Sequence, residues 1–336
     1  MTTGAEDAAR RLYDQAIVID GLNISNWNSQ AVYRSLHSGG VTTSNATIAV
    51  WEGYRETMDH IAAWLRRFRE YGDRIVQVKT VEDIHRAKRE GKAGIVLGFQ
   101  NASPIENDLD RLALFHALGV RIIQVTYNER NLLGNGCWER TDEGLSRFGM
   151  DAVKEMNRLG ILIDLSHVGD RTTLEAAEVS ERPVACTHAN ARSFFDHARN
   201  KEDAALKLIV EKGGVIGANA FPPFLPKGFA STLQDYVDAI DDLVERVGID
   251  HVGIGTDYTQ DQPMAFFDWL FSQQGTKYQE RPISFPDPVV HPRGMETPDK
   301  FSNIAKELMA RGYSEADTTK VLGGNWLRLF REVWAE

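Results

Sequence analysis

The 336-residue chain is poor in cysteine, in basic charge and in long apolar runs, and each shortage excludes a class of protein. Its two cysteines, Cys137 and Cys186, lie in unlike contexts and offer no disulfide framework, so we expect a reducing, cytoplasmic compartment. Lys and Arg number 38 against 48 Asp and Glu, and the net charge of −10 argues against nucleic-acid partners, which need a basic face. No apolar run reaches the ~18 residues of a membrane span, and the acidic N-terminus has no apolar core of a signal peptide. We therefore expect no membrane partner either.

The chain also lacks a linker rich in proline, glycine and serine, and it lacks the Gly-x-Gly-x-x-Gly turn of a doubly wound, dinucleotide-binding sheet. What it contains is a regular alternation of short apolar runs with longer amphipathic stretches. The apolar runs are typical of parallel strands covered on both faces, and they predict eight strands: 17–20, 46–51, 93–99, 120–126, 161–165, 183–187, 214–219 and 251–256. Two further helices, 298–311 and 314–331, end the pattern. The sequence therefore predicts an α/β fold, a single (β/α)8 TIM-type barrel over 1–336 with C-terminal helices.

One segment, 258–297, is irregular and follows the eighth predicted strand, so we expect a long loop over the barrel mouth. In such barrels the chemistry lies at the carboxyl ends of the strands. The residues predicted at these ends are rich in polar groups and include two of the nine histidines. They are 20–24, Trp51, Gln100, Tyr127, Asn128, 164–167, 188–192, Asn219 and Asp257. We expect this end of the barrel to bind a small molecule.

Two stretches carry the strongest motif: 156–168, which contains His167, and 182–192, which contains His188. Shorter motifs are Asp-His-Ala-Arg-Asn at 196–200, Gly-Ile-Gly-Thr-Asp at 253–257 and Leu-Gly-Gly-Asn-Trp at 322–326. In these motifs the sequence resembles the renal (membrane) dipeptidase family, the zinc dipeptidases of the amidohydrolase-type barrels, over most of the chain. The resemblance implies that His167 and His188 bind metal, that Arg192 holds a substrate carboxylate and that Asp257 handles protons. It also implies a homodimer.

The sequence departs from the family's pattern at four positions. The family's first metal is held by a His-x-Asp motif, whose positions are Leu22 and Ile24 here, and the glutamate that bridges two zinc ions is replaced by Gln100. A catalytic histidine after the fourth strand is replaced by Tyr127. Leucine and isoleucine have no lone pair, and a neutral amide is a poor zinc ligand. The first metal site is therefore lost.

A single metal remains compatible with the sequence. His167, His188 and Asp257 would provide two nitrogens and a carboxylate, a combination that zinc hydrolases use. The alternative is a metal-free pocket in which the two histidines form hydrogen bonds. We therefore expect zinc as the cofactor, with one ion at most, or no cofactor.

These residues predict a dipeptidase-like hydrolase of a small amide or dipeptide-like substrate that bears a carboxylate. Asp257 and Tyr127 are the predicted catalytic residues, and Arg192, Gln100 and Asn219 are predicted to bind the substrate. Two alternatives stay open, because fold does not determine function. One is a metal-independent acid–base enzyme, acting by C–N cleavage or isomerisation in the catabolism of a modified amino acid, and the other is a non-catalytic small-molecule binder.

Two further features bear on the pocket. Cys137 lies in a glycine-rich loop at the predicted mouth, where a thiol beside a histidine can act as a nucleophile. Trp27 and Trp138 are expected to line the pocket, together with Leu22 and Ile24, and such aromatic faces suit cationic ligands.

Overall fold

The computed structural model describes residues 3–275 and 284–334. Its sheet contains nine parallel strands: β1 Ile19–Asn23, β2 Thr43–Ala49, β3 Ile75–Val78, β4 Ala93–Phe99, β5 Val120–Gln124, β6 Leu162–Asp164, β7 Ala185–Cys186, β8 Val215–Asn219 and β9 Val252–Gly255. Eight of these strands close a barrel, because β2 pairs with both β1 and β4, β1 pairs with β9, and β4 to β9 pair in sequence order. All seven residues of β2 and of β4 are buried, as strands covered on both faces require. The predicted TIM-type α/β barrel is confirmed.

The ninth strand, β3, is an addition to the barrel that the apolar pattern did not predict. It pairs with the first half of β4, from Ile75 beside Ala93 to Val78 beside Val96, along the edge whose second half pairs with β5. Its two central residues are only partly buried, so its four residues carry too weak an apolar signal to be recognised. The strand extends the sheet below the barrel and takes no part in the mouth.

Helices surround the barrel and end the chain. They are α1 Thr3–Gln15, α2 Gln30–Ser38, α3 Tyr54–Glu70, α4 Val81–Glu90, α5 Asp110–Leu118, α6 Arg147–Leu159, α7 Asp170–Val179, α8 Asp203–Glu211, α9 Leu233–Val247, α10 Met264–Leu270, α11 Ser302–Ala310, α12 Glu315–Thr319 and α13 Asn325–Val333. Side chains such as Thr80 and Thr232 cap these helices and start them at defined residues. None of the helices in the described residues is both long and apolar enough to cross a lipid bilayer.

The predicted helix 314–331 is divided in two by a widened turn over Lys320–Gly324. At this turn Gly323 approaches the first strand so closely that a Cβ atom would lie 2.3 Å from the carbonyl oxygen of Ile17. The close approach seats α13 against the amino end of the barrel, where the indole nitrogen of Trp326 donates to the carbonyl of Ile254 at 3.0 Å. Trp326 and Phe330 pack there on the first residues of several strands, including Ile19. This end of the barrel is therefore sealed by apolar side chains.

The opposite end, the mouth, is covered by a second apolar cluster. Ile24, Tyr127 and Phe221 follow strands β1, β5 and β8, and they pack against Phe267 and Leu270 of α10 and against Phe271 beyond it. Helix α10 lies inside the segment 258–297 that was predicted to be an irregular loop. Residues 276–283 of that segment lie outside the described residues. The polar ends of the strands thus lie beneath an aromatic roof.

Candidate active site

The two predicted metal-binding histidines lie side by side at the mouth. His167 follows β6 and His188 follows β7, and their Nε2 atoms are 2.9 Å apart. Burial, together with the positive charge of Arg199, holds the pKa of both imidazoles well below the usual range, so both are neutral. A contact of 2.9 Å between two neutral imidazoles is a hydrogen bond, in which one Nε2 donates its proton to the other.

The remaining ring nitrogens extend this contact into a chain of hydrogen bonds. Nδ1 of His167 lies 2.6 Å from the side-chain oxygen of Asn128, and its Nε2 is paired with Nε2 of His188. Nδ1 of His188 lies 2.8 Å from the Thr187 hydroxyl, which donates to Oδ2 of Asp164 at 2.5 Å. The chain of contacts therefore ends at a buried carboxyl group.

Asp164 lies at the buried end of this chain. Burial raises the pKa of its carboxyl, against the opposing effect of hydrogen bonds from Ser166 and Thr187. Oδ1 accepts from the Ser166 hydroxyl at 2.5 Å and from the Thr187 amide at 2.9 Å, and Oδ2 accepts from the Thr187 hydroxyl. The chain Asp164–Thr187–His188–His167–Asn128 is thus continuous from end to end.

Zinc fits this donor set only in part. Two nitrogens bound to one tetrahedral zinc ion at about 2 Å lie about 3.3 Å apart, so the two imidazoles would have to separate slightly. Across 3–275 and 284–334, no group of three or more histidine, cysteine, aspartate or glutamate side chains is placed to hold a metal, so Asp257 is not brought together with His167 and His188 as a third ligand. Leu22 and Ile24 are buried and apolar where the family places its first metal. The binuclear site does not fit, and a single ion would find two protein donors.

Asp257 follows β9 and is the carboxylate of the central cavity. Burial raises the pKa of Asp257 to about 6, against the opposing charge of Arg199 and a hydrogen bond from Asn219. The backbone of Asp257 has a φ of 56°, a region that aspartate adopts at a cost and that is common at functional sites. Its amide donates to the carbonyl of Leu22 at 3.1 Å, which holds the strained residue against β1.

The other predicted site residues lie around the same cavity. The ring of Tyr127 stacks on His167 at 4.1 Å, and burial raises its pKa well above the usual range, so the phenol is neutral. Gln100 donates its amide to the Thr47 hydroxyl at 2.8 Å. Asn219 donates weakly to the His188 carbonyl at 3.4 Å and bonds to Asp257. Asn219 therefore orients Asp257 and does not line the cavity.

The cavity itself is small and mainly aromatic. Its volume is about 20 Å³, and its walls are Ile24, Gln100, Tyr127, Asn128, His167, Phe221, Phe224, Asp257, Thr259, Leu270 and Phe271. A site needs about 10–15 Å³ to admit one water molecule, so the closed cavity has room for a single water. A second pocket of about 570 Å³ lies beside it, and Ile24 lines both. A volume of that size is typical of small-molecule sites.

Arg192, the predicted carboxylate clamp, is not among the residues that line this cavity. Its guanidinium forms ion pairs with Asp170 at 2.8 Å and Glu202 at 2.7 Å, and it also donates to the carbonyl of Asn200. Its donors are thus directed to protein acceptors in a network between α7 and α8. The structure therefore gives no support to the clamp role at this position.

The cation that sequence reasoning missed is Arg199. It is 1% exposed, donates to the carbonyls of Ser166 at 2.5 Å and His188 at 2.7 Å, and lies over the ring of Phe224. Its charge reaches Asp257 and both imidazoles. The motif Asp-His-Ala-Arg-Asn at 196–200 was the available signal, but its sequence does not show which way the arginine points.

Two other expectations changed. Burial raises the pKa of the Cys137 thiol, which lies 3.5 Å from the Asn128 oxygen, so the thiol is protonated and poorly suited to be a nucleophile. Trp27 packs edge-on against Trp64 at 5.1 Å in the main core, although it also borders the larger pocket. Trp138 stacks on Phe271 at 5.7 Å, above the cavity.

Comparisons with known proteins place this chain in a family. The model of a family described as membrane dipeptidase (Peptidase family M19) matches residues 6–268 and 284–335. Dipeptidase tcpJ of Claviceps purpurea is 29% identical over 282 residues, which are 83% of this chain and 60% of that protein. An uncharacterised dipeptidase of Schizosaccharomyces pombe is 33% identical over 211 residues, 61% of this chain and 51% of that protein. The matches thus span about half to three fifths of the curated relatives. A crystal structure of an amidohydrolase from Pseudomonas aeruginosa is 41% identical, covers 98% of this chain and 99% of its own, and superposes with a TM-score of 0.93.

Proposed function

The chain belongs to the membrane dipeptidase family, a family of metallopeptidases, and from this premise we propose that it hydrolyses the amide bond of a small, dipeptide-like substrate that bears a carboxylate. The observation that carries the proposal is the buried carboxylate of Asp257, which lines one cavity together with His167 and Tyr127. Two relatives that are named dipeptidases support the substrate class.

Asp257 acts as the general base and then as the general acid. Its pKa of about 6 leaves it largely ionised at neutral pH and still basic enough to take a proton. The water that the cavity can hold is the nucleophile, and attack on the amide carbonyl transfers a water proton to Asp257. The same proton then moves to the leaving nitrogen as the C–N bond breaks.

The oxyanion formed by this attack is stabilised by groups already in place. Arg199 provides a fixed positive charge behind the two imidazoles, and the neutral Tyr127 phenol provides a donor beside His167. The hydrogen-bond chain from Asp164 to Asn128 fixes the orientation of His167 and His188. A zinc ion on these two nitrogens, one at most, would supply Lewis-acid chemistry when bound.

A second function is favoured by one specific observation. The two Nε2 atoms that a metal would need are satisfied by each other at 2.9 Å, and the first metal position is occupied by Leu22 and Ile24. A metal-independent acid–base reaction, C–N cleavage or isomerisation of a modified amino acid, would use Asp257 in the same position. Such a reaction does not need a pair of zinc ions to stabilise an oxyanion.

One experiment separates the two functions. The purified chain is assayed against a panel of dipeptides and N-acyl amino acids, before and after dialysis with zinc, while its metal content is measured by mass spectrometry. Zinc-dependent hydrolysis supports the hydrolase with one metal, and hydrolysis that is unchanged by chelation supports the hydrolase without metal. Products of elimination or isomerisation, in place of the two products of hydrolysis, support the second function. If neither the chain nor its zinc-loaded form turns over any of the amides, the hydrolase proposal fails.

A triple variant tests whether positions 22, 24 and 100 correspond to the family's metal ligands. Leu22→His, Ile24→Asp and Gln100→Glu, introduced together, restore the ligands that the family places there. We expect this triple variant to retain about two zinc ions for each chain, as the family's binuclear sites do. Zinc uptake equal to that of the unchanged chain would show that these positions do not form the metal site.

A further inference from the structure

The larger pocket beside the cavity has the character of a binding site. Its volume is about 570 Å³, and it lies between the segment after β1, the end of β2, helix α3 and helix α10. Its aromatic walls are Trp27, Trp64, Phe266 and Trp269. Flat rings on several sides of one pocket suit a planar or apolar group of a ligand.

Arg67 is the permanent cation of this pocket. Its guanidinium lies over the ring of Trp64 at 5.2 Å and donates to the side-chain oxygen of Asn28 at 2.6 Å. No ion pair to Arg67 occurs across residues 3–275 and 284–334, whereas its neighbour Arg66 pairs with Glu70. A stacked guanidinium with a neutral partner keeps donors for a planar anion.

The acidic group of the pocket, Glu52, does not compete for Arg67. One oxygen of Glu52 accepts from the amide of Val50 at 2.7 Å, and the other lies 3.7 Å from Nδ1 of His60. The pocket therefore contains a positive and a negative side chain with different partners, and the positive one lies over the ring of Trp64. If the anionic group of a ligand pairs with Arg67, an apolar group beside it on the same ligand can pack against the aromatic walls of the pocket.

The pocket also shares walls with the reaction cavity. Ile24 lines both spaces, and Thr47 lines the pocket while its hydroxyl accepts from Gln100 in the cavity wall. The cavity alone, at about 20 Å³, has no room for a dipeptide-like molecule. The rest of the substrate needs a neighbouring space, and this pocket adjoins the cavity directly.

We propose that this pocket binds the carboxylate-bearing end of the substrate, with Arg67 paired to the carboxylate and the tryptophans packed against an aromatic or other planar apolar group beside it. That the bound group is part of the substrate rests on the proposed function. That the pocket recognises an aryl carboxylate is independent of the proposed function, because binding is measured without turnover. Arg67 is then a specificity residue, in the role that Arg192 was expected to fill.

Three probes that share one ring and differ in charge test this recognition on the full chain. Indole-3-acetate is the anion, indole-3-acetamide is the neutral isostere and tryptamine is the cation, and their affinities are measured by isothermal titration calorimetry. We expect the acetate to bind about tenfold more tightly than the acetamide, since a charge-assisted pair is stronger than a neutral hydrogen bond. Tryptamine should bind most weakly.

Two arginine variants locate the effect. Arg67→Gln should remove the preference for acetate over acetamide, and Arg66→Gln, on the exposed face of the same helix, should retain it. Trp269→Ala should weaken all probes together. Equal affinities for acetate and acetamide, no binding of any probe, or a preference that survives Arg67→Gln would each overturn the proposal. Probe recognition without amide turnover would uphold the pocket while the hydrolase proposal fails.

Discussion

Aromatic side chains close both ends of the barrel, but the two ends differ in what lies beneath them. The mouth covers a cluster of ionisable side chains, whereas the amino end covers mainly apolar ones. At the amino end, Trp326 and Phe330 of α13 pack on the first residues of the strands, and the indole N–H has a carbonyl partner. At the mouth, an aromatic roof covers Asp164, Asp257 and two neutral imidazoles, whose pKa values are all displaced by burial. Burial at the amino end stabilises the fold, whereas burial at the mouth prepares chemistry.

The largest effect is expected from Asp257→Asn, which should lower the catalytic rate and raise the stability of the fold. Loss of the general base should reduce kcat by about 10²- to 10⁴-fold. Stability should rise, because the raised pKa of Asp257 means that the fold disfavours its ionised form above the unfolded pKa of about 4. Steady-state kinetics and thermal melting at pH 7 check both. A variant that loses activity and stability together would place Asp257 in a structural role.

The opposite pattern is expected at the amino end. Trp326→Ala should lower the free energy of unfolding by about 3–5 kcal/mol, because it removes a fully buried side chain and leaves a cavity. The activity of the molecules that remain folded should be unchanged, since Trp326 packs at the amino end of the barrel, opposite the mouth. Urea unfolding and active-site titration measure the two quantities. Leu65→Ala, at a side chain that is 37% exposed, is the control with little expected change.

The difference between the two ends also explains what sequence could predict. Apolar runs on strands and periodic runs on helices depend on burial alone, so the barrel and its C-terminal helices follow from them. The mouth depends on side-chain direction, which has no periodic signal. Arg192 and Arg199 lie seven positions apart in one motif region, and only their contacts show that the first joins Asp170 and Glu202 while the second lies behind His188.

The same limit applies to the histidine pair. Their positions after two neighbouring strands predicted that His167 and His188 would meet, and they do. In the structure the two imidazoles bond to each other, and Asn128 and Thr187 lie at the two outer nitrogens. Whether such bonds form is decided by differences in distance of a few tenths of an ångström. Such distances follow from tertiary packing, which no local motif encodes.

The pH dependence of activity sharpens the role assigned to the mouth. The base form of Asp257 is lost as pH falls through its folded pKa of about 6, so kcat/KM should be constant above that pH and fall about tenfold per unit below it. Asp257→Glu should move this limb without abolishing it. A profile in which the limb persists unchanged in Asp257→Glu would assign it to another group.

The smallest effect on catalysis is expected from Thr187→Val, because Thr187 does not line the cavity. The substitution removes one hydroxyl from the hydrogen-bond chain and preserves the shape of the side chain. It leaves Oδ2 of Asp164 and Nδ1 of His188 without their partner, and each unpaired buried group costs about 1–3 kcal/mol. Thr319→Val, on a partly exposed helix end, is the matched control. Because Nδ1 of His188 then has no hydroxyl partner, the imidazole NMR signals should shift in Thr187→Val and not in Thr319→Val. Unshifted imidazole signals would mean that Thr187 does not orient His188, and that the mouth, like the amino end, is held mainly by packing.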